Sequence, residues 1–171
     1  MAVNPELVDV VFSPVDAYLV GREKIREFAS ATFAIDPQHH EVEVAKARGF
    51  ADLVAPPTFP IVIQEKTLQQ LLDHPDSGID FSRVVHGDQQ FRHSRPIVAG
   101  DELIATLRVT KVQTLGGHSM VTSESTMATP EGEHVVTATS TLVVRGGEDV
   151  ARAWTLEVSV KVTKWPERPL P

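Results

Sequence analysis

The chain has 171 residues, 42% of them hydrophobic and 23% charged, which is the size and composition of one ordinary globular domain. Its formal net charge of −7 opposes binding to phosphate backbones and disfavours nucleic acid as a partner. The absence of cysteine excludes disulfides, thiolate catalysis and cysteine-ligated metals, and no stretch reaches the roughly 18 consecutive apolar residues that a membrane span needs. We therefore expect a soluble, cytoplasmic protein.

The first half of the sequence predicts helices. After a short predicted strand at residues 18–20, residues 22–33 carry apolar or small side chains at the spacing of one helix face, namely Ile25, Phe28, Ala29 and Thr32. A second short helix is predicted over residues 41–48, ended by Gly49, because glycine tolerates the left-handed conformation that follows many helices. The loop between these helices holds a cluster of acidic and histidine residues.

A third and more apolar helix is predicted over residues 59–72. Pro56 and Pro57 bias the backbone before them toward extended geometry, and Thr58 is predicted to cap the helix that follows. The start of this helix is apolar on nearly all sides, which indicates that it is buried there.

The second half of the sequence predicts an antiparallel sheet. Leu103, Ala105, Leu107 and Val109 alternate with polar or smaller residues, and Gly- or Pro-containing turns separate this strand from Thr- and Val-rich strands over residues 119–128 and 135–144. Residues 84–93 form an earlier, more polar strand. Helices followed by strands predict an α+β fold in which one long helix packs against a curved antiparallel sheet.

A C-terminal extension follows the turn at residues 146–149. From Trp154 to Val162, apolar residues alternate with polar ones, which is typical of a strand, and a proline-containing end then stops the pattern. The predicted organisation is one domain over residues 1–147 and an extension over residues 148–171 with one added strand. An edge strand or a dimer contact is favoured over a functional lid.

Two segments bring histidine close to acidic residues: residues 36–41, and residues 86–88 followed by His93. No spacing places two imidazoles on one ion, so no metal is predicted. A carboxylate three residues before an imidazole that titrates near neutrality is better suited to general acid–base catalysis, with His39 and Asp36 as the candidates. The alternative interpretation is that Asp36 caps a helical turn and His39 is exposed and inert.

These residues are similar to a known family. The segments Asp36-Pro37-Gln38-His39 and Ala55-Pro56-Pro57-Thr58-Phe59 resemble the R-specific enoyl hydratase and (3R)-hydroxyacyl dehydratase family, the MaoC-like hot-dog proteins. Residues 21–29 and 97–103 resemble the HadA/HadC-type dehydratase subunits of mycolic-acid fatty-acid elongation, and residues 86–89 resemble a stretch of FAS1-like dehydratase domains. The likeness covers about residues 5–147.

The resemblance implies a hot-dog fold, in which the sheet wraps around the helix at residues 59–72. It implies activity on acyl thioesters carried by acyl carrier protein or CoA, with no cofactor, as a homodimer or as a heterodimer with a catalytic hot-dog subunit. Thr58, Phe59 and Val62, at the start of that helix, are the implied substrate-binding residues.

The polar strand at residues 84–93 is expected to contribute to the same assembly. Strict alternation predicts that His86, Asp88 and Gln90 share one face of the strand, so that neither face is uniformly apolar. We expect His86, Asp88 and Gln89 to bond across a subunit interface or to support the segment that carries His39. The alternative is an edge strand that is kept polar against aggregation.

The sequence departs from the active members of the family. Their DxNPxH loop holds a water between an aspartate and a histidine, and a backbone N–H at the start of the central helix polarises the thioester carbonyl. The histidine falls on His39, but the aspartate falls on Ala34, and the residue that gives the N–H falls on Pro57, which has none. The resemblance therefore implies a non-catalytic or weakly catalytic subunit that works beside an active one, as in HadA-type proteins.

Three other functions stay open. They are a self-sufficient hydratase that uses His39 with Asp36, a hot-dog thioesterase, and an acyl-binding scaffold. Loss of the enoyl absorbance of crotonyl-CoA would indicate the hydratase, and release of free thiol would indicate the thioesterase.

Overall fold

The computed structural model describes residues 3–14 and 16–146. The helices and strands of this part follow in chain order as β1 (Val11–Phe12), β2 (Tyr18–Leu19), α1 (Arg22–Ala31), α2 (Val42–Ala47), α3 (Pro60–Asp73), β3 (Val84–His93), β4 (Glu102–Leu115), β5 (His118–Ala128) and β6 (His134–Val144). The predicted domain boundary at residue 147 and the predicted strand at residues 154–162 lie outside the described residues.

The strands form an antiparallel sheet in the order β1-β4-β5-β6-β3, and β2 pairs with the start of β4. Leu103, Ala105 and Leu107 of β4 are all buried, which confirms the predicted alternation. Gly116 and Gly117 connect β4 to β5 with φ angles of 57° and 78°, a conformation that glycine adopts at no steric cost.

The long helix α3 packs against β1, β4 and β6, with Ile63 and Leu71 buried. The predicted α+β arrangement of one helix against an antiparallel sheet is therefore confirmed. The predicted cap is wrong: Phe59 occupies the N-cap position without a side-chain hydrogen bond, and Thr58 lies exposed in the preceding turn. Pro60 begins the helix, where its missing N–H costs no intrahelical bond.

Helix α1 ends in a tight turn that leads into the cluster of acidic and histidine residues. Ile25 and Ala29 are buried as predicted, but Thr32 is exposed because the helix ends at Ala31. The Ala34 N–H donates to the Ala29 carbonyl at 2.8 Å, and Phe33 takes a φ of 56°, which is the left-handed position of a Schellman motif. This position usually belongs to glycine, so Phe33 is strained.

Strand β3 contains a bulge at Gly87. His86 pairs with Leu142 and Asp88 pairs with Thr141, so one residue of β3 is inserted between two consecutive partners on β6. The prediction that His86 and Asp88 share a face is therefore wrong. His86 instead lies on the face of Gln89, opposite to Asp88.

The buried apolar residues form two clusters, one around Phe59 and Leu103 and the other around Leu7 and Leu107. Within the described ranges, no helix is long and apolar enough to cross a membrane.

Candidate functional site

His39 lies on a short 3-10 turn, Pro37–His39, between α1 and α2. Asp36 caps this turn, because its carboxylate accepts a hydrogen bond from the Gln38 N–H at 3.1 Å. The turn folds His39 inward, so that only 6% of the residue is exposed. The alternative interpretation of His39 as a solvent-exposed residue is wrong, whereas the capping role of Asp36 is confirmed.

A backbone carbonyl fixes the orientation of the His39 ring. Its Nδ1 atom lies 2.7 Å from the Val54 carbonyl oxygen, and the Val54 N–H donates to the Gln38 carbonyl at 3.1 Å. A carbonyl oxygen only accepts, so Nδ1 carries the proton. In the neutral imidazole, Nε2 then carries the lone pair, which is the state that a general base needs.

His39 lines a pocket of about 460 Å³. Three short segments form its walls: the end of the 3-10 turn, the extended approach to α3, and the chain that leaves β3. The lining residues are Gln38, His39, Phe50, Val54, Ala55, Pro56, Pro57, His93, Ser94, Arg95, Pro96 and Ile97.

A second imidazole, that of His93, lines the same pocket. Its Nε2 lies 2.9 Å from the Pro57 carbonyl oxygen, so Nε2 is the donor and carries a proton. Sequence reasoning did not select His93 as a site residue. The signals were its place after the histidine and acidic residues at 86–88 and at the end of a polar strand, followed closely by Pro96.

Arg95 braces the wall next to His93. Its guanidinium donates to Asp101 at 2.8 Å and to Glu133 at 2.9 Å, and Asp101 also accepts from the Val98 N–H at 2.9 Å. The hydrogen bond to Asp101, together with that to Glu133, raises the pKa of Arg95 above its usual range. Because two carboxylates occupy its donors, Arg95 positions the 94–98 segment rather than offering a free charge to a ligand.

The hydrogen bonds of the Asp36 carboxylate are structural. Besides the Gln38 N–H, it accepts from Arg48 at 2.6 Å, and it does not line the pocket. The Gln38 N–H, followed by the Arg48 guanidinium, lowers the pKa of Asp36 below its ordinary value of 3.8. It is therefore an ionised cap at neutral pH. No hydrogen bond between the side chains of Asp36 and His39 is present.

The residues at the start of α3 that resemblance assigned to substrate binding have different environments. Phe59 is completely buried, with its ring edge-on to Tyr18 and Phe28 at centroid distances of 6.5 and 5.4 Å. Val62 is half-buried against the same apolar cluster. Thr58 is exposed beside the pocket wall. In this chain Phe59 is a core residue with no surface to offer a substrate.

The backbone before α3 is poor in hydrogen-bond donors. Pro57 has no N–H, and the Phe59 N–H already donates to the Pro56 carbonyl at 2.9 Å. Within the stretch 56–60 of the described chain, the Thr58 N–H is the one backbone donor without an internal acceptor.

The polar residues of β3 lie on the edge of the sheet. His86 and Asp88 are exposed, and Gln89 is half-buried. Gln89 accepts hydrogen bonds from Ser140 of β6 and from Gln64 of α3, whose own Oε1 is buried without a partner. Gln89 therefore supports the contact between α3 and the sheet.

No group of three or more His, Asp or Glu side chains that could hold a metal ion occurs within residues 3–14 and 16–146. What the pocket offers chemically is an oriented imidazole base, a second imidazole and a mostly apolar wall.

Comparison with known sequences identifies the family that this chain matches. Residues 6–138 match the profile described as FAS1-like, dehydratase domain region. A UPF0336 protein of Leifsonia xyli subsp. xyli is 64% identical over 132 residues, which is 77% of this chain and 89% of that protein.

Solved structures agree with this result. A chain of the C-terminally truncated HadBC (3R-hydroxyacyl-ACP dehydratase) complex from Mycobacterium tuberculosis matches with a TM-score of 0.74 and 31% identity, over 80% of this chain and 96% of that chain. A MaoC-like dehydratase matches with a TM-score of 0.77 and 28% identity, over 96% of this chain and 52% of that chain. The predicted hot-dog fold and the resemblance to MaoC-like dehydratases are confirmed.

Proposed function

Because the chain belongs to the family of FAS1-like dehydratase domain regions, we propose that it is a subunit of a (3R)-hydroxyacyl thioester dehydratase of fatty-acid elongation. Its substrates are acyl chains carried by acyl carrier protein or CoA. Its own pocket is weakly catalytic, and an active hot-dog subunit supplies most of the turnover. The observation that carries this proposal is an oriented His39 in a pocket whose wall contains Pro57, while Ala34, which falls on the family's aspartate, has no carboxylate.

The role of His39 follows from its contacts. With Nδ1–H held by the Val54 carbonyl, Nε2 is the atom that exchanges a proton with the water that is added to, or released from, the β carbon of the acyl chain. More than half of the lining residues are apolar, namely three prolines, Phe50, Val54, Ala55 and Ile97, which suits the apolar part of an acyl thioester.

Ala34 and Pro57, the two departures from the active members, explain why the isolated chain is expected to be slow. Ala34 has no carboxylate to share the water with His39. Pro57 has no N–H to stabilise negative charge on the thioester oxygen, and the loss of one such donor typically costs about 10²–10³ in rate. The Thr58 N–H, one position later, is the remaining backbone donor at this place.

The exposed features of the chain support a second subunit. Within the described residues β3 pairs only with β6, so its other edge is open. Phe33 and Ile35, on either side of Ala34, are 87% and 86% exposed, which is unusual for large apolar side chains. The proposed active subunit covers these side chains and the open edge. The similar HadBC protein is itself a complex.

Crotonyl-CoA hydration tests the proposal. The isolated chain is expected to be slow, and a DxNPxH-containing hot-dog protein isolated with it from the native cell is expected to give fast hydration that depends on that protein's own Asp and His. Ala34→Asp alone is expected to leave the isolated chain slow, because the donor at position 57 is still absent. High turnover of the isolated chain, unchanged by any partner, would show a self-sufficient enzyme instead.

A further inference from the structure

We propose that His93 is a second catalytic residue of the pocket and acts as the proton donor that complements His39. This inference rests on the proposed function, since it assigns a role in the same site. It is drawn from three observations: both imidazoles line one pocket, each is anchored through one ring nitrogen to a backbone carbonyl, and His93 is anchored on Pro57 itself.

The two rings are held in complementary ways. His39 uses Nδ1–H for the Val54 carbonyl and keeps Nε2 for chemistry, whereas His93 uses Nε2–H for the Pro57 carbonyl and keeps Nδ1. A protonated His93 therefore carries its second proton on Nδ1, while a neutral His39 carries its lone pair on Nε2. One pocket thus contains two imidazoles whose anchors leave different nitrogens, Nε2 of His39 and Nδ1 of His93, for proton transfer.

The anchor also places His93 at the approach to α3. Pro57 has no N–H, and its carbonyl accepts the Nε2–H of His93, so the ring is held against the pocket wall at this place. When the ring carries positive charge, its Nδ1–H is a stronger donor than a neutral N–H is.

The hydration step balances with these groups. The oxygen of water bonds to the β carbon while His39 Nε2 takes one of its protons. The π electrons of the α,β double bond form a new bond from the α carbon to the proton that His93 Nδ1 releases. Exchange of protons with solvent then returns both imidazoles to their starting forms. Dehydration is the reverse.

The test uses the isolated chain with crotonyl-CoA. His39→Ala and His93→Gln are each expected to lower the slow hydration rate by about 10²–10⁴-fold, the usual contribution of a positioned acid or base. The glutamine amide can still donate to the Pro57 carbonyl but cannot transfer a proton. The double variant is expected to be little slower than the slower single variant, because both groups act on one transition state.

Two controls and a rescue experiment separate chemistry from folding. His40→Ala removes an imidazole that bonds to the Ala34 carbonyl outside the pocket, and Arg92→Ala removes the exposed neighbour of His93 on the opposite strand face. Both are expected to keep the wild-type rate. Added imidazole is expected to restore part of the rate of a folded His93→Ala variant, which a purely structural role would not allow.

The outcomes distinguish this inference from the proposed function. Wild-type hydration by His93→Gln, failure of imidazole to rescue His93→Ala, or no turnover of the isolated chain above buffer would each overturn the role of His93. The subunit proposal depends instead on the response to the active partner. An isolated chain that loses its rate in His93→Gln but gains nothing from any partner would keep this inference and remove the subunit role.

Discussion

The orientation of the His39 ring and the hydrogen-bond partners of the Asp36 carboxylate determine which chemistry each of these residues can perform. The Val54 carbonyl, fifteen positions further along the chain, determines which nitrogen of His39 is basic. The Arg48 guanidinium and the Gln38 N–H keep Asp36 ionised and turned to structural contacts. The same tetrapeptide thus holds one residue suited to proton transfer and one suited to capping.

The first prediction concerns Asp36. Asp36→Asn keeps a capping oxygen for the Gln38 N–H and removes the negative charge. We expect the variant to retain most of the hydration rate of the isolated chain, because the carboxylate does not line the pocket. His39→Ala, measured in the same crotonyl-CoA assay, is expected to lose most of it. Equal and large losses in both variants would favour the self-sufficient enzyme in which Asp36 shares the chemistry.

At the residue scale, the sequence identified the local motif but not its partners. Asp36 and His39 stand close together in the chain, so their capping and acid–base potential could be predicted from spacing. The contacts of His39 with Val54 and of His93 with Pro57 join segments that only the tertiary fold brings together. His93 was grouped with the histidine and acidic residues at 86–88 but was not selected as a site residue, because its neighbours in the sequence gave no sign of a pocket.

An ion pair between elements supports the Val54 carbonyl. Arg22, at the start of α1, donates to both oxygens of Asp52, and Asp52 also accepts from the Leu53 N–H at 2.7 Å. The side-chain hydrogen bond from Arg22, followed by that N–H, lowers the pKa of Asp52 below its ordinary value of 3.8. The Arg22–Asp52 ion pair thus holds the chain in place two residues before Val54, whose carbonyl orients the His39 ring.

The second prediction concerns how the stability contributed by the Arg22–Asp52 ion pair depends on pH. A carboxyl whose folded-state pKa is depressed stabilises the fold above its unfolded pKa, and this contribution is lost as pH falls through the folded pKa. Thermal unfolding is therefore expected to show Asp52→Asn less stable than wild type at neutral pH, with the difference shrinking below about pH 4. A difference that is constant over this range would mean that the charge of Asp52 contributes nothing.

The third prediction concerns the bulge in β3. A Cβ atom built at Gly87 would lie 3.1 Å from Val143 Cγ2 and 3.3 Å from the Thr141 carbonyl oxygen. Gly87→Ala is therefore expected to destabilise the protein by about 1–3 kcal/mol, as overpacking does. Gly21→Ala adds the same Cβ atom where nothing lies within 4 Å, and its expected cost is only that of alanine at the N-cap of α1. A denaturation midpoint of Gly87→Ala equal to that of wild type would show that β3 adjusts freely.

At the element scale, periodic patterns correctly predicted which positions of a helix or strand are buried. They did not predict local changes of one residue, such as a bulge or a shifted helix start. The buried positions of β4 and of α1 follow from spacings of two and of three or four residues. The bulge at Gly87 was missed because neither face of the strand is uniformly apolar, although an isolated glycine within a strand is itself a signal for a bulge. Helix α3 starts at Pro60 instead of residue 59, and its N-cap is Phe59 instead of Thr58, because the proline defines the first turn without a side-chain cap.

The whole chain leaves features that a single domain does not explain. The conformation of Phe33 costs roughly 1–2 kcal/mol for most residues with a side chain, and among the described residues its ring is 87% exposed. Ile35 is exposed to the same degree. The proposed second subunit, by covering these side chains, would give them a stabilising role in the assembly.

The last prediction therefore has opposite signs for stability and for association. Phe33→Gly is expected to stabilise the isolated chain by roughly 1 kcal/mol, because glycine adopts the positive φ without strain. The same variant is expected to bind the active hot-dog subunit more weakly, because it removes a large apolar contact. Denaturant unfolding of the isolated chain and titration with the immobilised partner measure the two effects.

Phe33→Ala separates the backbone from the ring. It keeps the strained φ and removes the aromatic contact, so it is expected to bring no gain in stability and the same loss of association as Phe33→Gly. The ring, and not the backbone, would then account for binding. If both variants bind the partner as tightly as wild type, the loop at Phe33 lies outside the subunit interface.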